Sequence, residues 1–149
     1  MKVIAYLFFI IISIGLQSCN STVKSVYRDD FRSATKSEIE KIQKDVNATH
    51  SNKSILVLTQ TYKGEKIIVS QNGKVIFSEY PITNLKSKIA DYFSINNQEN
   101  ILIKDSDSGK EVSIPAKKAS KHKYIYLMKK VNKGKFQFVI TYSNTLRPI

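Results

Sequence analysis

The chain has 149 residues, with 24 Lys and Arg against 12 Asp and Glu, a formal net charge of +12, no tryptophan and one cysteine. That length suits a single domain able to bury a core without staples, and one cysteine excludes an internal disulfide framework. Lysine carries nearly all the charge. Arg28, Arg32 and Arg147 are the only arginines, and so little of the bidentate guanidinium fork argues against a reader of nucleic acid.

Met1 to Cys19 opens with Lys2 and continues as an almost unbroken apolar run from Val3 to Leu16. It closes with Leu16-Gln17-Ser18-Cys19. Positive charge, apolar stretch and a small residue before a cut describe an export signal. The run is too short for a spanning helix, which needs about 20 apolar residues, and has no polar face to suit a core helix. An uncleaved signal anchor is the alternative. With cysteine at the cut, the segment resembles the lipobox of a bacterial lipoprotein: Leu16 and Ser18 match the usual residues, and Gln17 departs from the small residue usual between them. The resemblance implies a signal peptide over 1–18, a diacylglyceryl thioether on Cys19, a lipidated tether over 19–34 and a single domain over 35–149. It also implies a place in the cell envelope, and Asn20, which is not an aspartate, favours the outer membrane over the inner. Two or three acyl chains make such an anchor effectively stable, where one alone binds marginally. With Cys19 lipidated, the rest of the chain holds no thiol for a metal site or a nucleophile.

From Asn20 to Ala34 the chain is polar, with isolated Val23, Val26, Tyr27 and Phe31. Its beginning reads as a tether reaching roughly 20 Å, with Tyr27 and Phe31 free to dock on the domain. Thr35 and Glu38 have capping-box spacing, and Ile39, Ile42 and Val46 share one helical face. A helix is therefore predicted over Lys36 to Val46, supported by the Glu40–Lys44 pair. Ser54 to Thr61 is β-branched and apolar on both faces, as for an interior strand. After Lys63-Gly64, two strands, Glu65 to Ser70 and Lys74 to Tyr80, flank Asn72-Gly73, the strongest hairpin signal in the sequence. The three segments are expected to form an antiparallel meander.

Leu85, Ile89, Tyr92 and Phe93 fit a helical stripe over Thr83 to Ser94, with Thr83 or Asn84 as cap; Lys86 and Lys88 near its start oppose the helix dipole. Short strands follow at Ile101 to Lys104 and Glu111 to Ile114, then a long hairpin of Tyr124 to Val131 and Lys135 to Tyr142 about Asn132-Lys133-Gly134. Seven strands and one or two helices predict an α+β domain built mainly on antiparallel sheet. A mostly-β sandwich is the alternative if the second helix is a loop.

Chemical motifs are few. Asp105-Ser106-Asp107-Ser108-Gly109 resembles the start of a calcium loop, but Gly109 and Ala116 stand where an EF-hand needs oxygen ligands, so a turn is expected. His50 and His122 lack metal-ligand spacing. Ser120, Lys121 and His122 fall in a flexible basic loop expected over Pro115 to Lys123, where adjacent residues do not hold a nucleophile–base geometry. Asp29 and Asp30 fall in the tether, where nothing would separate their pKa values. No cofactor and no catalytic residue is predicted.

Charge asymmetry is the remaining unusual feature. From Val112 onward stand Lys117, Lys118, Lys121, Lys123, Lys129, Lys130, Lys133, Lys135 and Arg147, with no acid among them. Tyr124, Tyr126, Phe136, Phe138 and Tyr142 are interleaved. Either the aromatics enter the core and the lysines form a solvated rim, or the eight lysines make a partner surface. The functional expectation is a non-enzymatic binding or assembly module, held to the membrane through Cys19 and meeting an acidic envelope protein. The alternatives are a domain lying on anionic lipid or glycan, and an envelope hydrolase whose site the sequence does not reveal.

Overall fold

The computed structural model describes residues 22–132 and 135–149. The elements in order are β1 (Thr22–Tyr27), α1 (Lys36–Asp45), β2 (Lys53–Leu58), β3 (Ile67–Gln71), β4 (Lys74–Glu79), β5 (Asp91–Asn96), β6 (Ile101–Asp105), β7 (Lys110–Ile114), α2 (Ala116–Ala119), β8 (Tyr124–Asn132) and β9 (Lys135–Ser143). Among the described residues these strands form a five-stranded sheet, β1-β9-β8-β2-β5, and a four-stranded sheet, β4-β3-β6-β7. The domain is α+β and sheet-rich. Its pairings are antiparallel apart from β1 with β9 and β2 with β8.

Side-chain alternation explains the layering. β2 and β8 lie inside the larger sheet and are apolar on both faces. Leu56, Leu58, Ile125 and Leu127 face the smaller sheet, where they meet Ile67, Val69, Ile101, Ile103, Val112 and Ile114. Ile55, Val57, Tyr124 and Tyr126 face the other way, against Ile42 of α1 and Leu146. Three layers result: helix, large sheet, small sheet. A buried aliphatic side chain stabilises by about 1.5–3 kcal/mol, and both apolar clusters run through β2 and β8.

The predicted first helix is α1, and its capping box is complete. The Thr35 side chain accepts from Glu38 N–H, and the Glu38 carboxylate accepts from Thr35 N–H at 2.7 Å. The i,i+4 ion pair on this helix joins Lys41 and Asp45. The Asn72-Gly73 hairpin is β3–β4, with both turn residues at positive φ.

Four expectations are corrected. β2 does not join β3 and β4 in a meander. It sits in the larger sheet between β8 and β5, and the break at Lys63-Gly64 carries the chain from one sheet to the other. The second helix does not form over Thr83 to Ser94. Asn84 Oδ1 accepts from the N–H groups of Lys86 and Ser87, and Lys88 takes a φ of 61°, so a turn replaces the helix start. The rest of that segment is β5, with Tyr92 toward α1 and Phe93 and Ile95 toward the small sheet. A short helix, α2, lies instead within the stretch expected as a basic loop. Finally, the polar stretch taken as tether enters the sheet at Thr22: β1 pairs in parallel with β9, Thr22 opposite Gln137 and Tyr27 opposite Tyr142.

The strand directions give the domain two distinct ends. The starts of β1, β5 and β9 and the ends of β2 and β8 lie together. The opposite end carries α2, the loop 47–52, and residues 143–146.

Candidate functional site

The eight lysines of the basic segment do not form one surface. Lys117 and Lys121 are exposed and Lys118 is half-buried, all on or just after α2. The Lys118 ammonium lies 5.9 Å from the Tyr27 ring centre and 5.8 Å from that of Tyr142. His122 packs against the same two rings, with Nδ1 2.9 Å from the carbonyl of Lys118. This is a cation–aromatic cluster, with Lys117 and Lys121 exposed on the same short segment.

Lys123 serves the fold instead. Its Nζ donates to the carbonyls of Ala48, His50 and Lys53 at 2.6, 3.2 and 2.9 Å, tying the loop after α1 to the start of β8. Burial lowers the pKa of its ammonium, and three carbonyl dipoles favour the charged form.

Lys129 is also withdrawn from the surface. It continues the inward row Ile125, Leu127, Lys129 along β8 and is 6% exposed. Asp105, 1% exposed, likewise continues Ile101 and Ile103 along β6. The two meet at 2.6 Å across the gap between the sheets, and Glu65 contacts the same ammonium. The Tyr62 ring lies 5.5 Å from the ammonium, and its hydroxyl donates to Leu127 C=O. Burial, with Lys63 nearby, brings the Lys129 pKa down to about 8, so the group is cationic at neutral pH. Burial also raises the Tyr62 pKa and keeps the phenol neutral. Where the calcium-like motif was noted, Asp105 Oδ1 accepts from Asp107 and Ser108 N–H and Gly109 takes a φ of 66°. The expected turn forms, with a lysine held against its aspartate.

Lys130 is exposed near the end of β8. Lys133 and the side chain of Lys135 lie outside the described residues. Of the interleaved aromatics, Tyr124, Tyr126, Phe138 and Tyr142 are buried in the core; the side chain of Phe136 is not described.

Two adjoining clefts open at the end of the sandwich away from α2. One, of about 450 Å³, is lined by Thr61, Lys63, Glu65, Asp105, Lys129 and Val131 among others. The second, of about 630 Å³, shares Thr61 and Lys63 and adds Ile82, Thr83, Leu85 and Lys88. Thr61 forms their common wall at a φ of 72°, a strained conformation for a β-branched residue. Its hydroxyl donates to the Lys129 carbonyl, and Thr83 Oγ1 joins Tyr62 N–H to Thr59 C=O. These bonds fix the loop 59–63 against the loop 82–90 and the extended part of β8.

The sequence reading missed this end. In the sequence Lys129 reads as one more surface cation, because its partners, Glu65 and Asp105, come from distant parts of the chain. A signal was present: both residues occupy inward positions of alternating apolar rows, Ile125-x-Leu127-x-Lys129 and Ile101-x-Ile103-x-Asp105. Among the described residues, no group of three His, Cys, Asp or Glu is arranged to hold a metal, and no helix is long and apolar enough to cross a membrane. No family model matches the chain, and no curated protein matches it significantly.

Proposed function

We propose that this protein is a lipid-anchored, non-enzymatic binding module of the bacterial envelope that presents its α2 end to an acidic partner protein. The carrying observation is the place of β1. It begins three residues after Cys19 and runs from the cleft end toward α2. Three residues span at most about 10 Å, so a lipid on Cys19 would hold the cleft end near the bilayer. β8 runs about 26 Å from Tyr124 to Asn132 at 3.3 Å per residue, which sets α2 well away from the anchor. Lys117, Lys118 and Lys121 are then displayed outward, and interleaved acids that would neutralise them are missing from Val112 onward. Attachment to the outer membrane is the preferred placement, from the residue at position 20.

The test separates anchor from display. Cys19→Ser should move the protein from the membrane to the soluble fraction and abolish the acyl mass increment. Charge reversal of Lys117, Lys118 and Lys121 together should leave the protein in the membrane. It should also remove a stoichiometric, salt-sensitive partner from material solubilised gently. A partner retained by that variant, or no partner for either form, would contradict the display.

A further inference from the structure

Exposed apolar side chains gather at the end opposite α2. Leu85 is 81% exposed, Ile82 68%, Val131 63% and Tyr80 62%. Ile82 and Leu85 share a cleft with Lys63, and Lys63 shares the next with Val131, so these side chains border one continuous rim. Ile82 also bridges to Lys63 through the backbone. Val23 of β1 is exposed and sits beside Phe138 in the register. Tyr80, Ile82 and Leu85 lie in loops and Val131 near the end of β8, and none of them belongs to either apolar core cluster.

Lysines stand among them. Lys63, Lys86, Lys88 and Lys130 are exposed, and Lys66 lies 5.8 Å from the centre of the Tyr80 ring. The acids on this end are the exposed Asp107 and Glu79 and the half-buried Asp91. Glu65 and Asp105 are engaged with Lys129. An apolar rim ringed by more lysines than free carboxylates matches the two layers of an anionic membrane surface. The aliphatic side chains suit the headgroup–acyl boundary, and the lysines are attracted to the anionic surface above it.

We propose that this rim, Tyr80, Ile82, Leu85 and Val131 with Lys63, Lys86, Lys88 and Lys130, docks directly on the anionic leaflet that holds the anchor. The proposal rests on the lipidation of Cys19 for its geometry, because β1 begins on this end, three positions after that residue in sequence. A tethered domain with such a rim lies down on the bilayer in one orientation rather than swinging about its anchor. The loops 59–63 and 82–90 are braced for contact by the hydrogen bonds of Thr61 and Thr83.

The chain has no tryptophan, so Leu85→Trp and Lys121→Trp are single reporters at the two ends. Each full-length protein, purified from membranes, is reconstituted into vesicles containing an anionic lipid and lipids brominated in the acyl chains. The mass of Cys19 is measured on the same samples. Both variants should unfold at the wild-type temperature, since both positions are exposed. The expected result is strong quenching and a blue shift for the Leu85→Trp reporter, weaker in neutral vesicles, with no change for Lys121→Trp. Acylated Cys19 with an unquenched Leu85→Trp reporter, or quenching at both positions, overturns the docking while leaving the anchor intact. Unmodified Cys19 with selective quenching at position 85 on anionic vesicles removes the anchor and upholds the docking face.

Discussion

Lys129 and its two carboxylates show how far a single side chain can depart from its apparent character. A lysine between Met128 and Lys130, in a segment rich in lysine, reads as part of a basic surface, yet strand parity turns it inward to meet Asp105 and Glu65. The cost of desolvating these groups is recovered only while all three are present. Lys129→Met is therefore expected to destabilise the domain by about 3–5 kcal/mol, because the buried Asp105 and the largely covered Glu65 lose their counter-charge. Combining it with Glu65→Gln and Asp105→Asn, which keeps the Oδ1 acceptor for the following turn, should recover most of the loss. Denaturant unfolding of the single and triple variants checks this. Asp29 supplies a second residue-level test. Asn144 N–H and the Ser143 hydroxyl donate to its carboxylate at 2.5 and 2.8 Å and hold its pKa below the ordinary 3.8. The folded state thus binds that proton less readily than the unfolded chain. This clasp contributes fully above pH 3.8 and is lost as the pH falls through the lower folded value. In Asp29→Asn the acid limb of the stability profile should be shallower than in wild type below pH 4, as thermal unfolding across that range would report.

At the scale of elements, α1 and the β3–β4 hairpin were legible because their signals are local. A capping box spans four residues and Asn72-Gly73 spans two, so each is written in adjacent letters. Thr35→Ala should cost about 1 kcal/mol by leaving the first-turn donors without their acceptor, measured as a fall in the unfolding free energy with no change in the sheet signal. β5 was misread because Tyr92 and Phe93 suit a helical stripe as readily as a strand, and only pairing with β2 decides between them. β1 was missed for another reason. An edge strand of Thr22-Val-Lys-Ser-Val-Tyr27 has one neighbour and a mostly solvated surface, so its composition looks like a linker. Its stability comes from β9, a partner at the far end of the chain. Hydrogen exchange should find amides on the β9 side of β1 protected, which a free tether would not allow.

At the scale of the whole molecule, the arrangement of strands converts a single run of lysines in sequence into three populations. Lys123 and Lys129 hold the fold, Lys117, Lys118 and Lys121 mark the α2 end, and Lys130 stands with the apolar rim on the other. The aromatics expected either in the core or on a binding face are in the core wherever their side chains are described, since β8 is covered by α1 on one side and the small sheet on the other. Composition alone carried the excess charge but not its division, because the division depends on which end of β8 each residue reaches. On the reading proposed above, a lipid-held domain turns one end to the bilayer and the other outward. Amine acylation of the reconstituted, lipidated protein, read lysine by lysine by mass spectrometry, measures that most directly. Lys63, Lys86, Lys88 and Lys130 should become protected in anionic vesicles relative to detergent, while Lys117 and Lys121 should react equally in both. Equal reactivity at the two ends, or protection of Lys117 and Lys121 instead, would contradict it.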